Sequence, residues 1–284
     1  MKNVLHTLVL GLSLLGIVSC EDVIEVEVPS EPPRLIIDAL IRIDTTQPFT
    51  LARIKVSQTN SFFETVVPAG LQQITLFNLD LNAGDVLLEE VPGSGIYSKE
   101  ISTEALMSGA EYFLQIDFND EFFVAYATFQ PTVPIDNIVQ GEGTLFDEDE
   151  TEIIVSFTDN GERDDFYLFD FDRGNFLVTE DEFYQGQQFS FSWFYDEDIN
   201  VGDELDISIM GVDEDFAVYM DKLIEQSEGP FGPFETPSIT VRGNIINATT
   251  IDNETNFDNT NTTDNFALGY FAIVQEFKRT IVIE

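Results

Sequence analysis

Apolar runs of strand length, broken at short intervals by Gly, Pro, Asn and Asp, constrain this chain more than any other feature. They fall at 34–43, 49–59, 71–79, 85–90, 96–101, 111–118 and 122–129. They resume at 152–157, 165–172, 188–194, 205–211, 238–246 and 266–271, with a last run at 276–283. Most are rich in β-branched and aromatic residues, which pack well on a pleated, half-buried surface. Period-2 alternation is clearest in Tyr112-Phe113-Leu114-Gln115-Ile116-Asp117-Phe118. The breaks carry turn chemistry: Pro68-Ala69-Gly70, Asn82-Ala83-Gly84-Asp85, Pro92-Gly93-Ser94-Gly95 and Asn119-Asp120. Short strands at this spacing predict a mainly β protein built as sandwiches.

Two prolines three apart, in Pro131-Thr132-Val133-Pro134-Ile135-Asp136, end a strand and stiffen a connection. The expected organisation is therefore two β-sandwich-like domains. The first, 34–130, has the strand count of an immunoglobulin-like or transthyretin-like module; the second covers 137–284. One segment breaks the β pattern. Residues 214–226 place Phe216, Val218, Tyr219, Leu223 and Ile224 three and four apart, ahead of Glu228-Gly229-Pro230, which predicts one amphipathic helix covering a sheet.

The beginning of the chain has a different logic. Lys2 is followed by an apolar stretch from Val4 to Val18, too short to span a bilayer but suited to the core of a signal peptide over 1–19. It ends in Ile17-Val18-Ser19-Cys20, which resembles a bacterial lipobox. A thiol there would take the diacylglyceryl group, making Cys20 the lipidated first residue of the mature protein and tying it to the outer membrane. Several acyl chains on one residue anchor firmly where one chain holds only marginally. Residues 20–33 then read as a tether, acidic at first and kept extended by Pro29, Pro32 and Pro33. Glu21 and Asp22 resemble an export signal to the cell surface.

Composition excludes several functions. The only histidine, His6, and the only cysteine, Cys20, lie in the leader or at its end. The rest of the chain cannot form a Ser-His-Asp triad, a Cys-His pair, a His-ligated metal site or an internal disulfide. A net charge of −41, with 53 acidic and 12 basic residues, repels polyanions and argues against nucleic-acid binding. Disorder is excluded by a 43% hydrophobic content that includes 26 Phe and 8 Tyr. No cofactor is expected, and no catalytic residue is assigned.

The remaining motifs are ambiguous. Asp196, Asp198 and Asn200 have the alternate-residue spacing of a calcium loop, yet Val201 and Ile207 stand where an EF-hand needs Gly and Glu. They are a candidate cation site or a hydrated turn. The acid run Asp147 to Glu150 has the same two readings. Phe191, Trp193, Phe194 and Tyr195, and the pair Phe62 and Phe63, are either core residues or exposed anchors for a sugar or partner. Asn247, Asn253 and Asn261 begin glycan-acceptor triplets that arise by chance in an Asn/Thr-rich loop, and Asp44-Thr45-Thr46 resembles a bacterial O-glycosylation motif.

The order of several short pieces resembles a family of Bacteroidota outer-membrane lipoproteins, known by domain-of-unknown-function number 4249. The pieces begin with Arg34-Leu35-Ile36-Ile37-Asp38-Ala39-Leu40-Ile41. Gly95-Ile96-Tyr97 follows, then Gly109-Ala110-Glu111-Tyr112 and Val133-Pro134-Ile135-Asp136. Phe157-Thr158-Asp159 leads to Asp165-Phe166-Tyr167, and Gly202-Asp203-Glu204-Leu205 leads to the expected helix. Val241-Arg242-Gly243-Asn244-Ile245 and Ala267-Leu268-Gly269-Tyr270-Phe271 close the series. The resemblance implies a non-enzymatic accessory or substrate-capturing partner of a TonB-dependent receptor. The alternative is a stand-alone glycan- or calcium-binding adhesion lipoprotein. It transfers no catalytic residue. Gly243 and Gly269 are expected where the backbone needs a missing side chain, and Arg242 beside a carboxylate.

Overall fold

The computed structural model describes residues 32–61, 64–145, 150–195, 199–227, 239–255, 257–259, 261 and 265–284. The first half contains β1 (Leu35–Ile43), β2 (Phe49–Gln58), β3 (Val67–Pro68), β4 (Gln73–Asn78), β5 (Ala83–Val86), β6 (Leu88–Glu89) and β7 (Ile96–Ser102). A one-turn helix α1 (Thr103–Leu106) precedes β8 (Tyr112–Phe118), β9 (Glu121–Ala127) and β10 (Phe129–Gln130). The second half has β11 (Ile135–Gln140), β12 (Thr151–Thr158), β13 (Phe166–Asp170), β14 (Phe176–Glu180), β15 (Gln188–Tyr195) and β16 (Glu204–Val212). Helix α2 (Glu214–Ser227), β17 (Ile246–Asn247) and β18 (Leu268–Val282) complete it. The protein is mainly β and sandwich-like, with α2 the only helix longer than one turn among the described residues.

One ten-stranded sheet, in the order β14-β13-β16-β18-β1-β2-β7-β6, runs through both halves. Its hub is β18. Residues 268–275 pair in parallel with β1, from Ile36 opposite Leu268 to Ile43 opposite Gln275. Residues 276–282 pair antiparallel with β16. Strand alternation then sorts the cores. Phe271 and Ile273 join Ile37, Ile41 and Ile54 under the sheet β17-β9-β8-β4-β5. Further along the same face, Phe277 and Ile281 meet Phe157, Tyr167, Phe169 and Ile207 under the sheet β11-β12-β15. The other face presents Tyr270, Ala272 and Val274, which α2 covers with Phe216 and Ala217. Two small sheets thus pack on one face of the long sheet and the helix on the other.

The second core accounts for much of the phenylalanine content. Phe157 contacts Tyr167, Phe169, Tyr184 and Phe189 at centroid distances of 5.3, 5.5, 5.6 and 6.1 Å, mostly edge-on. Such geometry adds to simple area burial. The expected helix at 214–226 forms as α2, with Asp213 capping it by accepting from Phe216 N at 2.7 Å.

Several expected boundaries shift. The runs at 266–271 and 276–283 form the single strand β18. Residues 269–274 are buried on both faces, so no polar alternation marks the middle of that strand. Strand β11 begins at Ile135, inside the stretch read as a connection, because Val133 and Ile135 are needed in the second core. Strand β14 has no counterpart among the predicted runs, because its half-buried residues give no alternation. The expected strand at 238–246 shrinks to β17; Ser238 lies outside the described residues. Residues 241–245 do something else: a side-chain amide substitutes for a strand. Asn244 Nδ2 donates to Phe271 O at 2.8 Å and to Tyr126 O at 3.2 Å, and its Oδ1 accepts from Phe271 N at 2.9 Å.

Gly269 lets β18 approach β1 at all. Its φ is +100°, and a Cβ there would lie 1.9 Å from Ile37 O. Gly243 is equally confined, with a Cβ meeting Gly269 O at 1.8 Å. Gly269→Ala is expected to cost about 3 kcal/mol or more, because it adds a steric clash to a disfavoured backbone angle. Chemical unfolding measures this; a loss under about 1 kcal/mol would show that the parallel pairing tolerates displacement.

Candidate functional site

At one end of the second sandwich, a short connection links the end of β12 to the start of β13, and the antiparallel pairing of β13 with β14 brings the end of β14 back beside it. Asp159 follows β12, Asp165 precedes β13, and Asp181 sits in a short 3-10 turn after β14. Their carboxylate oxygens lie within 4.8 Å of one another, and the three residues are only 6, 7 and 6% exposed.

Protein donors surround the cluster. The Tyr167 hydroxyl lies between Asp159 Oδ1 and Asp165 Oδ2, 3.1 Å from the latter. Gly186 N donates to Asp159 Oδ2 at 2.6 Å, and Asp165 N donates to Asp181 Oδ2 at 3.0 Å. Arg163 Nε reaches both Asp165 oxygens, at 2.9 and 3.1 Å. The close approach behind this needs two glycines: a Cβ on Gly161 would meet Gly186 Cα at 2.8 Å. A phenol carries one proton, so Tyr167 fully serves one carboxylate at a time. Arg163, through Asp165 alone, is the one cation bonded to any of the three carboxylates among the described residues.

The electrostatics follow from that imbalance. Burial raises the Asp181 carboxyl above its ordinary 3.8, and the charges of Asp159, Asp165 and Asp164 push the same way. Burial, assisted by the hydrogen bond to Asp159, drives the Tyr167 phenol far up, so it stays a donor at every physiological pH. Tyr184, stacked on Phe189 at 4.4 Å, is pushed up to about 12, mainly by burial. The oxygen spacing suits a calcium-sized ion, which takes six to eight oxygens. An ion here would have to take the Tyr167 hydroxyl as a ligand or displace it. As it stands, the arrangement is a hydrogen-bonded knot that fastens three strand ends.

A family model for a domain of unknown function, DUF4249, matches residues 21–280. The chain belongs to the DUF4249 family. No curated protein matches it significantly. Among solved structures it is similar to the crystal structure of bovine butyrophilin, at 9% identity over 65% of this chain and 93% of that one, with a TM-score of 0.23.

Several sequence candidates of this DUF4249 chain fall outside the described residues: Cys20, Phe62, Phe63, Asp196 and Asp198, with 147–149 of the acid run. Asn200 is described and serves a turn, its N–H donating to Asp203 Oδ2 at 3.0 Å. Asp203 also takes Arg173 at 2.9 Å, and these bonds hold its carboxyl below the usual range. Phe191, Trp193 and Tyr195 face the second core, with Trp193 stacked on Phe171 at 4.6 Å. Asn247 is wholly buried and bonds Glu121 Oε1 at 3.2 Å, which removes it as a glycan acceptor. Asp44 caps its own turn, accepting from Thr46 N at 2.9 Å and Thr46 Oγ1 at 2.7 Å.

Arg242 and Arg34 both lie over the Phe266 ring, at 4.2 and 4.0 Å from its centroid. Arg242 also donates to Asn259 Oδ1 at 3.3 Å. Burial, then the nearby Arg34, lowers its pKa, while Asp252 and Asp258 act against that shift. The carboxylate cluster was half visible in the sequence. Asp159 and Asp165 sit in the DUF4249 pieces Phe157-Thr158-Asp159 and Asp165-Phe166-Tyr167; Asp181 gave no signal, since only the β13–β14 hairpin brings it there.

Two substitutions should move stability in opposite directions. Tyr167→Phe strips a donor from two buried carboxylates and is expected to cost about 1–3 kcal/mol. Asp181→Asn keeps an acceptor for Asp165 N and removes a desolvated charge, so it is expected to stabilise at neutral pH. A raised folded-state pKa means that the folded protein holds the extra proton, and stability falls as pH rises through that pKa. The gain from Asp181→Asn should therefore be absent below pH 3.8 and complete above the folded-state pKa. Thermal melts across pH test this. Stabilisation by calcium that Asp181→Asn abolishes would instead assign the cluster to a cation.

Proposed function

We propose that this DUF4249 protein is a surface-exposed outer-membrane lipoprotein of the Bacteroidota. It is anchored through Cys20 and acts as a non-enzymatic accessory or substrate-capturing partner of a TonB-dependent receptor. The observation that carries the partner reading is the uneven covering of the long sheet. Helix α2 covers the face of the β13-β16-β18 half. On the same face of the β2-β7-β6 half, Phe49, Leu51 and Leu88 are 59, 52 and 70% exposed. Strand register aligns Leu88 with Ser98 and Ser98 with Arg53, placing these apolar residues among cations. Arg42, Arg53 and Lys55 border a shallow groove of about 330 Å³ with Asp38, Leu40 and Leu51. A mixed apolar and cationic face on so acidic a protein suits a protein partner better than bulk water.

The leader supports the location, since a lipobox-like Ile17-Val18-Ser19-Cys20 follows an apolar run of signal-peptide length. The non-enzymatic reading is supported by the absence of histidine and of any second thiol beyond the leader. It is also supported by the use of the clustered carboxylates in hydrogen bonds that hold strand ends together.

The test is a mild-detergent pull-down of the native, lipidated protein from outer membranes, read by mass spectrometry. A TonB-dependent receptor is expected at near-equal amount, and lost when Leu51→Glu and Leu88→Glu are introduced together. A solitary intact lipoprotein would overturn the stable-complex reading and favour an independent binding module.

A further inference from the structure

An antiparallel sheet with its inner face on a core ordinarily turns polar residues to water. The sheet β17-β9-β8-β4-β5 does so only in part. Its inner positions, among them Ile74, Leu76, Leu114, Ile116, Phe123 and Ala125, belong to the first core. The alternate residues of β4, β8 and β9 face outward, and strand register sorts them into rows. Phe77 lies opposite Phe113, and Phe113 opposite Tyr126. Their ring centroids are 6.0 and 5.1 Å apart, at tilts of 44 and 49°. One aromatic row thus crosses three strands. Apolar side chains scattered singly on a surface are ordinary, but a contiguous row marks a contact site. Amides stand beside the row. Gln115 donates to Asp117 Oδ1 at 2.8 Å, and Gln73 Nε2 to Thr75 Oγ1, opposite Gln115, at 2.9 Å.

The two ends of the row differ. At β5, Gly84 stands opposite Phe77, and a Cβ there would come 2.6 Å from the Phe77 ring. The missing side chain lets that ring lie over the β5 backbone with one face toward it. At β9, Tyr126 is 38% exposed and borders a cavity of about 390 Å³ with Arg242, Gly243, Ile246, Asp258 and Asn259. The polar walls are held by their own bonds. Arg242 Nη2 donates to Asn259 Oδ1 at 3.3 Å, Asn259 Nδ2 to Asn265 O at 3.1 Å, and Asn253 Nδ2 to Asp258 Oδ2 at 3.2 Å. A guanidinium has several donors and a carboxylate several acceptor sites, so Arg242 and Asp258 can each bond further groups. The Tyr126 hydroxyl bonds to no protein group among the described residues. Burial, then the charge of Glu111, raises its pKa, so it stays a hydroxyl that can donate and accept.

These features fit a sugar chain. A pyranose presents patches of C–H, which rest on the negative face of an aromatic ring, and a rim of hydroxyls that each donate and accept. A row of rings beside amide groups, ending in a cavity of mixed donors and acceptors, complements that pattern. A protein partner needs about 800 Å² and a broad dry centre, which a strip one residue wide does not supply. An anionic chain is repelled by a net charge of −41. We infer that Phe77, Phe113 and Tyr126, with the adjoining cavity, bind a neutral oligosaccharide laid across β4, β8 and β9. The site is on the outer side of a small sheet, and the open face of the long sheet is on the far side of that sandwich. A protein seated on Phe49, Leu51 and Leu88 leaves it uncovered. The inference goes beyond the transporter reading and stands or falls without it, because it needs neither the anchor nor a receptor.

The test is isothermal titration calorimetry of the purified full-length protein in mild detergent with cellohexaose, xylohexaose, mannohexaose and maltohexaose. At least one is expected to bind saturably with a Kd of about 1 mM or tighter, while polygalacturonate does not bind. Phe113→Thr with Tyr126→Thr keeps strand-forming residues, removes two rings and should weaken binding at least about tenfold. If that pair melts early, Tyr126→Thr alone is compared with Tyr126→Phe, which keeps the ring and should bind at least about threefold more tightly. Leu51→Glu with Leu88→Glu, on the far side, should bind like the parent. Absence of saturable binding by all the neutral sugars, unchanged binding by the threonine variants, equal binding of polygalacturonate, or loss of binding in the far-side variant would each overturn the inference. A receptor pulled down with the parent and lost with the threonine variants would overturn it in favour of a protein partner on this face.

Discussion

The parallel pairing of β1 with β18 is the interaction on which the architecture depends. It joins residues 36–43 to residues 268–275, nearly the two ends of the described chain, and everything else is arranged around it. Closing so long a loop is entropically costly and comes late unless other contacts bring the ends near. The chain supplies them in two ways. Gly269 removes the one atom that would collide with Ile37 O, and Asn244 holds Phe271 from the far side with a side-chain amide. Once formed, the pair buries β18 on both faces over residues 269–274, which is typical of a parallel strand inside a sheet.

Because β18 continues past β1 to pair with β16, the two halves are not joined like beads on a linker. Segment 137–284 contributes Ile245, Ala267, Phe271 and Ile273 to the first core as well as building the second. Arg42 reinforces the junction from the helix face, 2.8 Å from Asp170 and 3.3 Å from Glu276. Being a third exposed, this network contributes modestly, and the shared hydrophobic faces contribute far more. The same continuity leaves the long sheet half covered and half open, and the open half is where the partner reading rests.

A chain with 53 acidic residues must still place some of them inside. Near the surface, Asp44, Glu152, Asp203 and Asp206 accept hydrogen bonds that lower their pKa values. Buried Asp181 and half-buried Asp213 are raised instead, because burial outweighs the bonds they accept. The knot around Tyr167 shows how one phenol, one guanidinium and a few backbone N–H groups make such burial tolerable. It also shows why an acidic cluster found by proximity is not by itself a metal site.

The sequence alone determined the class of fold and the helix at α2, because alternation and helical spacing are local properties; it left Phe191, Trp193 and Tyr195 between core and exposed anchor, and the structure turned them inward. It also marked Gly243 and Gly269 as positions without room for a side chain. It settled the exclusion of histidine and thiol chemistry, which follows from composition. What the tertiary structure decided was every relationship between distant residues. It merged two apolar runs into β18, turned Asn244 into a strand substitute, and gathered Asp159, Asp165 and Asp181 from three strand ends. None of these was legible beforehand, because each depends on which strand lies beside which, and strand order is set by burial and long-range closure rather than by local preference.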